Sequence, residues 1–180
     1  MKNKLTIVLS LIITGLLLTL ICYIGLKEIE LKKYSPETVI YEDIGFYPGY
    51  YYVYVFESEK VTVYDFSSYW SKNGFDYFTD PLPQKDEYKV HVYSINEYDW
   101  NDIVNTLNKN KYNRIRKNLS VKGITDGGYG YIEVKTCNKS YSFGGYCPEK
   151  GNLISSNRYK KIIRELEEEI EQAKERANAY

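Results

Sequence analysis

The chain has 180 residues, 24 of them basic and 24 acidic, so it is formally neutral, and 16% of it is aromatic. That balance gives no electrostatic case for a nucleic-acid partner. One histidine and three cysteines exclude a histidine-built zinc site and a dense disulfide scaffold.

The charge is unevenly distributed. Residues 5–26, LTIVLSLIITGLLLTLICYIGL, carry none. As a helix at about 1.5 Å per residue this run is about 33 Å long, enough for a hydrocarbon core of about 30 Å. Lys2 and Lys4 precede it as a basic flank. A cleaved signal has an apolar core of about 7–15 residues and then small residues at the cleavage site. This run is longer, and no such site follows. Cys22 invites a lipoprotein reading, but the bulky Ile21 stands before it. The expectation is a retained transmembrane signal anchor over residues 1–26, with the membrane as a partner through residues 5–26. Lysines on both sides leave the positive-inside count undecided. A first hydrophobic segment followed by a folded domain exports that domain, so the rest is expected outside the cytoplasm. The recurrence of Thr6, Ser10 and Thr14 reads as hydroxyls bonding back to their own helix, in preference to a close helix-packing face.

Residues 27–36 form a charged stalk that ends at Ser35-Pro36, because the residue before proline is pushed out of the helical region. Residues 37–48 are mixed. Residues 49–56 and 61–66 are aromatic and β-branched runs separated by ESEK, which predicts a hairpin with Glu57 facing Lys60. Residues 66–87 read as an irregular loop holding Tyr69, Trp70, Phe75, Tyr77 and Phe78. Such a loop is either a binding surface or a lid folded onto one edge of the core. Residues 88–95 are a third strand, with Val90 and Val92 on one face.

A helix follows. Asp99 is its expected N-cap, with Asp102 in the capping-box position and Tyr98 and Ile103 as a hydrophobic staple. Trp100, Ile103, Val104 and Leu107 make one apolar face. Residues 109–122 contain Lys109, Lys111, Arg114, Arg116, Lys117 and Lys122 and no acid. This is either a solvated loop or a surface for phosphate-bearing wall polymers or lipid head groups. A second hairpin runs through Ile132, Val134 and Thr136 and returns through Tyr141 and Phe143. With Asn138-Lys139 as its turn, Tyr141 faces Thr136 and Phe143 faces Val134. Cys137 and Cys147 are then more than about 20 Å apart and on opposite faces, so both are expected as free thiols. Gly144-Gly145 marks a bulge or a close backbone approach. A last helix over about 156–177 has Tyr159, Ile162, Ile163 and Leu166 as its core face, and its final turns are expected in solvent.

The order β-β-β-α-β-β-α predicts an α+β domain over residues 37–180: an antiparallel sheet of about five strands with two helices packed on one face. No catalytic, cofactor or metal motif stands out. His91 sits alone on a strand. The DGGYG stretch from Asp126 precedes a strand, so it lacks the helix N-terminus of a phosphate cradle. The expected function is a non-catalytic extracytoplasmic binding module, inhibitor and immunity-like proteins included, for a protein or wall-polymer partner. Its candidate surface is Tyr69, Trp70, Phe75 and Tyr77 with Lys109, Lys111, Arg114, Arg116 and Lys117. The alternative is a wall-active hydrolase using paired carboxylates, for which Asp65, Asp76 and Asp80 are available but no sequence spacing predicts their separation.

Overall fold

The computed structural model describes residues 13–24, 35–46, 49–125 and 127–179. The chain divides into two compact units, Met1–Ser35 and Pro36–Tyr180. In the first, residues 13–24 form a helix, α1, on which Leu16, Ile21 and Tyr23 are exposed. Thr19 Oγ1 donates back to the carbonyls of Gly15 and Leu16 at 3.1 and 2.8 Å, so this hydroxyl serves its own helix. Among the described residues no helix is long and apolar enough to cross a membrane. The remainder of the expected span, residues 5–12 and 25–26, lies outside the described residues, as does most of the stalk.

The second unit is an α+β fold. Its elements are β1 (Pro36–Gly45), β2 (Tyr50–Glu57), β3 (Lys60–Asp65), α2 (Ser67–Asn73), β4 (Lys89–Ser94), α3 (Glu97–Lys109), β5 (Gly128–Thr136), β6 (Ser140–Tyr146) and α4 (Ile154–Asn178). The strands form one six-stranded antiparallel sheet in the order β4-β3-β2-β1-β5-β6.

Strand β1 is absent from the expected five, yet it is the central one, bonded to β2 on one side and β5 on the other. Val39 and Tyr41 belong to the core on one face of the sheet, and Ile40 and Ile44 to the core on the other. A strand buried on both faces shows no alternation of apolar and polar residues, which is why residues 37–48 read as mixed.

The two helices α3 and α4 lie on the first face, over Val39, Phe56, Val61, Ile132, Val134 and Phe143. They are not the whole cover. The opposite face holds a second core of Ile40, Tyr51, Val53, Phe66 and Phe75, capped by Tyr69 and Trp70 of α2 and by Tyr77 and Tyr88. So part of the expected irregular loop is a helix, and the sheet is buried on both sides. Strand β4 is an edge, with Val90 and Val92 exposed.

Helix α3 starts one turn before its expected cap. Asn96 is the N-cap: its Oδ1 accepts from the amides of Tyr98 and Asp99 at 2.8 and 3.1 Å. Asp99 closes the box by accepting from the Asn96 amide at 3.0 Å. Tyr98 is 82% exposed and staples nothing. The end of α4 also differs from expectation. Ile170 and Ala173 are buried, and Arg176 Nη2 donates to Asp99 Oδ2 at 2.6 Å, so the last turns lie against α3. A second tie joins Thr106 Oγ1 to Glu165 Oε2 at 2.9 Å.

The β5–β6 register is shifted by two residues from the expected one: Val134 faces Tyr141 and Ile132 faces Phe143. A shift of two keeps every side chain on its face, so Phe143 still enters the core. Glu57 faces Lys60 as expected, with an ion pair of 3.1 Å. Cys137 is exposed, Cys147 is buried, and no disulfide joins them.

Candidate functional site

The cover over the second face stops near β1 and leaves the β5–β6 half of that face open. Across the ladder Tyr129 stands beside Tyr146, and Tyr131 beside Gly144. Gly144 and Gly145 have φ of +156° and +146°, and a Cβ on Gly145 would collide with Ser120. The missing side chains let the segment 117–120 run alongside β6. Leu119 N donates to Gly144 O at 2.8 Å, and Gly144 N donates to Lys117 O at 3.2 Å.

The other wall is the turn after α2. Phe78 N donates to Asp76 Oδ1 at 2.8 Å, and Asp76 N donates to Asp80 Oδ2 at 2.9 Å, which closes the turn on itself. Tyr51 hangs this turn from the sheet: its hydroxyl accepts from the Tyr77 amide at 2.7 Å and donates to Glu42 Oε1.

Between these walls lies a cleft of about 720 Å³, lined by Glu42, Phe75, Asp76, Lys117 and Tyr129 among others. Past Phe78 a second hollow of about 530 Å³ is lined by Tyr77, Leu82, Glu133, Lys135 and Ser142. Phe78 and Tyr131 line both, with ring centroids 5.3 Å apart in an edge-on contact. The two hollows are therefore lobes of one groove divided by an aromatic pair.

Glu42 is 7% exposed at the floor of the first lobe. Burial pushes its carboxyl up to about 7; the Tyr51 hydrogen bond works against that shift, and the charge of Asp76 works with it. Burial and the adjacent Glu42 charge hold the Tyr51 hydroxyl far above its ordinary value, so it remains a donor. The first lobe thus offers a carboxyl that switches between donor and acceptor near neutrality, set among apolar rings. Few converging polar groups on a mostly apolar wall is the usual composition of a binding site.

Three of the nine residues expected at the surface meet in this groove: Phe75 and Lys117 in the first lobe and Tyr77 in the second. Phe75 is only 7% exposed, and the half-buried Tyr69 and Trp70 pack beside it against the second core. Lys109, Lys111, Arg114 and Arg116 are exposed and do not line the groove. Glu42, Tyr129 and Tyr131 were absent from the expected site. The available signal was the alternation of Tyr129 and Tyr131 with Gly128, Gly130 and Ile132, which sets two tyrosines on the face opposite the core.

Among the described residues no group of three His, Cys, Asp or Glu side chains is placed to hold a metal ion. No protein-family model matches the chain, and no curated protein matches it.

Proposed function

We propose that the chain is a membrane-anchored protein whose Pro36–Tyr180 unit, outside the cytoplasm, is a non-catalytic binding module for an extended wall polymer. The observation that carries this reading is the two-lobed groove floored by Tyr129 and Tyr131 and divided at Phe78. Two lobes in series suit a repeating ligand. Sugar rings have an apolar face and a rim of hydroxyls, and they match aromatic faces flanked by Glu42, Asp76, Asn118 and Ser142. The anchor rests on the uncharged run 5–26. Co-sedimentation of the full chain, in detergent, with purified cell-wall material tests the reading. Retention that falls about tenfold in Tyr131→Ala supports it, since that is about 1.4 kcal/mol, within the range of an aromatic anchor. No retention, or retention indifferent to Tyr131→Ala, contradicts it.

One observation favours a second reading. Glu42 and Asp76 line the same lobe, and a carboxyl poised near 7 beside a second carboxylate is the equipment of a general acid. Release of reducing ends from wall glycan, lost in Glu42→Gln, is the result that selects the hydrolase; binding without release selects the module.

A further inference from the structure

Helix α4 turns an apolar stripe to the core: Leu166, Ile170 and Ala173 are buried at the spacing of one helix face. Glu169 lies on the same stripe and is only 4% exposed, so a carboxyl occupies a position that the pattern gives to an apolar side chain. Two polar ties flank it. Thr106 of α3 meets Glu165 one turn earlier on α4, and Asp99 of α3 meets Arg176 about two turns later. The ties make the two helices antiparallel and set Glu169 between them, in the middle of the α3–α4 seam.

Among the described residues Glu169 Oε2 is the buried side-chain polar atom that has no hydrogen-bond partner. A carboxylate oxygen in that position carries a charge that neither water nor a donor compensates, whereas a neutral carboxyl is much less costly. The neighbouring charges act in the same sense. Asp99 and Asp102 of α3 and Glu165 of α4 all disfavour a second negative charge, and the cation that opposes them, Arg176, is already held by Asp99 at 2.6 Å. Strand β4, also packed on α4, turns Tyr93 to this core, with Lys89 and His91 on the same face of the strand but exposed. Glu149 and Lys150 belong to the turn at the other end of α4, where Gly151 meets Ser156.

We propose that the α3–α4 seam is a proton-operated latch, in which protonated Glu169 keeps the last turns of α4 docked on α3 and its ionisation releases them. Burial first, then the charges of Asp99 and Glu165, push the Glu169 carboxyl up to about 7. Released into water, it returns toward its ordinary 4.5. The closed seam therefore holds the proton more tightly than the open one. Closure is favoured on the acid side, and opening grows as pH rises through about 7 and the proton leaves to water. By this linkage the open population rises about tenfold between about pH 6 and about pH 8. Opening separates Arg176 from Asp99 and bares Ile170 and Ala173, while Tyr159, Ile162 and Leu166 hold the first turns of α4 in place. The latch thus converts a change of pH into exposure of an apolar patch at one end of a helix.

Hydrogen exchange on the full-length chain in detergent micelles, corrected for the intrinsic rate at each pH, tests this residue by residue. The expected result is that the amides of residues 170–178 lose about tenfold in protection between about pH 6 and about pH 8 relative to those of residues 158–164. The Glu169 carboxyl, followed by carbon NMR, titrates near 7 in the same sample. Glu169→Gln abolishes the relative loss of protection. Glu169→Leu, which has nothing to titrate and suits the stripe, abolishes it as well and decides the matter if the Gln variant does not fold. Glu42→Gln, on the other side of the sheet, leaves the relative loss unchanged. A Glu169 carboxyl that titrates near 4.5 overturns the proposal, and so does a loss of protection that persists in the Glu169 variants. Ionisation near 7 with residues 170–178 still protected overturns it too, because Arg176 has then moved to Glu169 without opening the seam.

Discussion

Glu42 enters the fold as a carboxyl that water no longer solvates, and its protonation is tied to stability. Its carboxyl is near 4.5 in the unfolded chain and about 7 in the folded one. Between those values the folded state holds the proton more tightly, so stability is fully present on the acid side and is lost as pH rises through about 7. A gap of this size is worth on the order of 3 kcal/mol. Glu42→Gln keeps an acceptor for Tyr51 and removes the titration. Urea melts at about pH 5 and about pH 8 should show a flatter pH dependence in the variant, with the gain of stability at pH 8. An unchanged slope would mean that Glu42 is solvated. Nothing local in TVIYEDIGF announces this. Glu42 lies in the stretch 37–48 that reads as mixed, and only neighbours supplied by β2, β5 and the turn after α2 bury its carboxyl.

Helix α3 shows how far an element can be read from its own residues. Ile103 and Leu107 are buried as their spacing predicts, and a capping box is present. Its position was ambiguous because Asn96-x-x-Asp99 and Asp99-x-x-Asp102 are the same pattern. The choice is made by Arg176, far along the chain on α4, which pairs with Asp99. Three substitutions separate these contributions. Asn96→Ala should cost about 1 kcal/mol as the loss of an N-cap. Asp99→Ala should cost more, about 2–4 kcal/mol, because it also strips Arg176 of its partner and uncaps the Asn96 amide. Tyr98→Ala should stay within about 0.5 kcal/mol, as expected of an exposed position. Chemical denaturation gives this ordering directly; an Asp99 variant no worse than Asn96→Ala would contradict the tie to α4. The second hairpin failed differently. A two-residue slip leaves the facing pattern intact, so the sequence cannot distinguish the two registers. The turn at Cys137-Asn138 decides, with Thr136 N bonded to Lys139 O at 2.9 Å.

At the scale of the whole molecule, an α+β domain was legible because hairpins separated by helical stretches leave few alternatives. The layering was not. A central strand apolar on both faces makes the sheet three layers deep, and the second cover comes from aromatic residues without helical periodicity over most of their length. That cover is incomplete over β5 and β6, and the groove is the gap it leaves. No single segment encodes such a gap, which is why Tyr129 and Tyr131 escaped notice while Lys117 and Tyr77 did not. The uncharged run 5–26 gives a separate expectation: the protein stays in the membrane fraction after alkaline carbonate washing. A soluble mature form beginning after residue 22 would contradict it.

The claim that the groove is the working surface is tested most directly by mapping where a wall polymer touches the folded protein. Soluble wall-glycan fragments are titrated into the labelled full-length chain and the amide and aromatic signals are followed by NMR. The account predicts shifts concentrated at Tyr129, Tyr131, Phe78 and Gly144, running across both lobes, and lost in Tyr131→Ala. Shifts confined to the basic positions Lys109, Lys111, Arg114 and Arg116, or no shifts at saturating fragment, would contradict it.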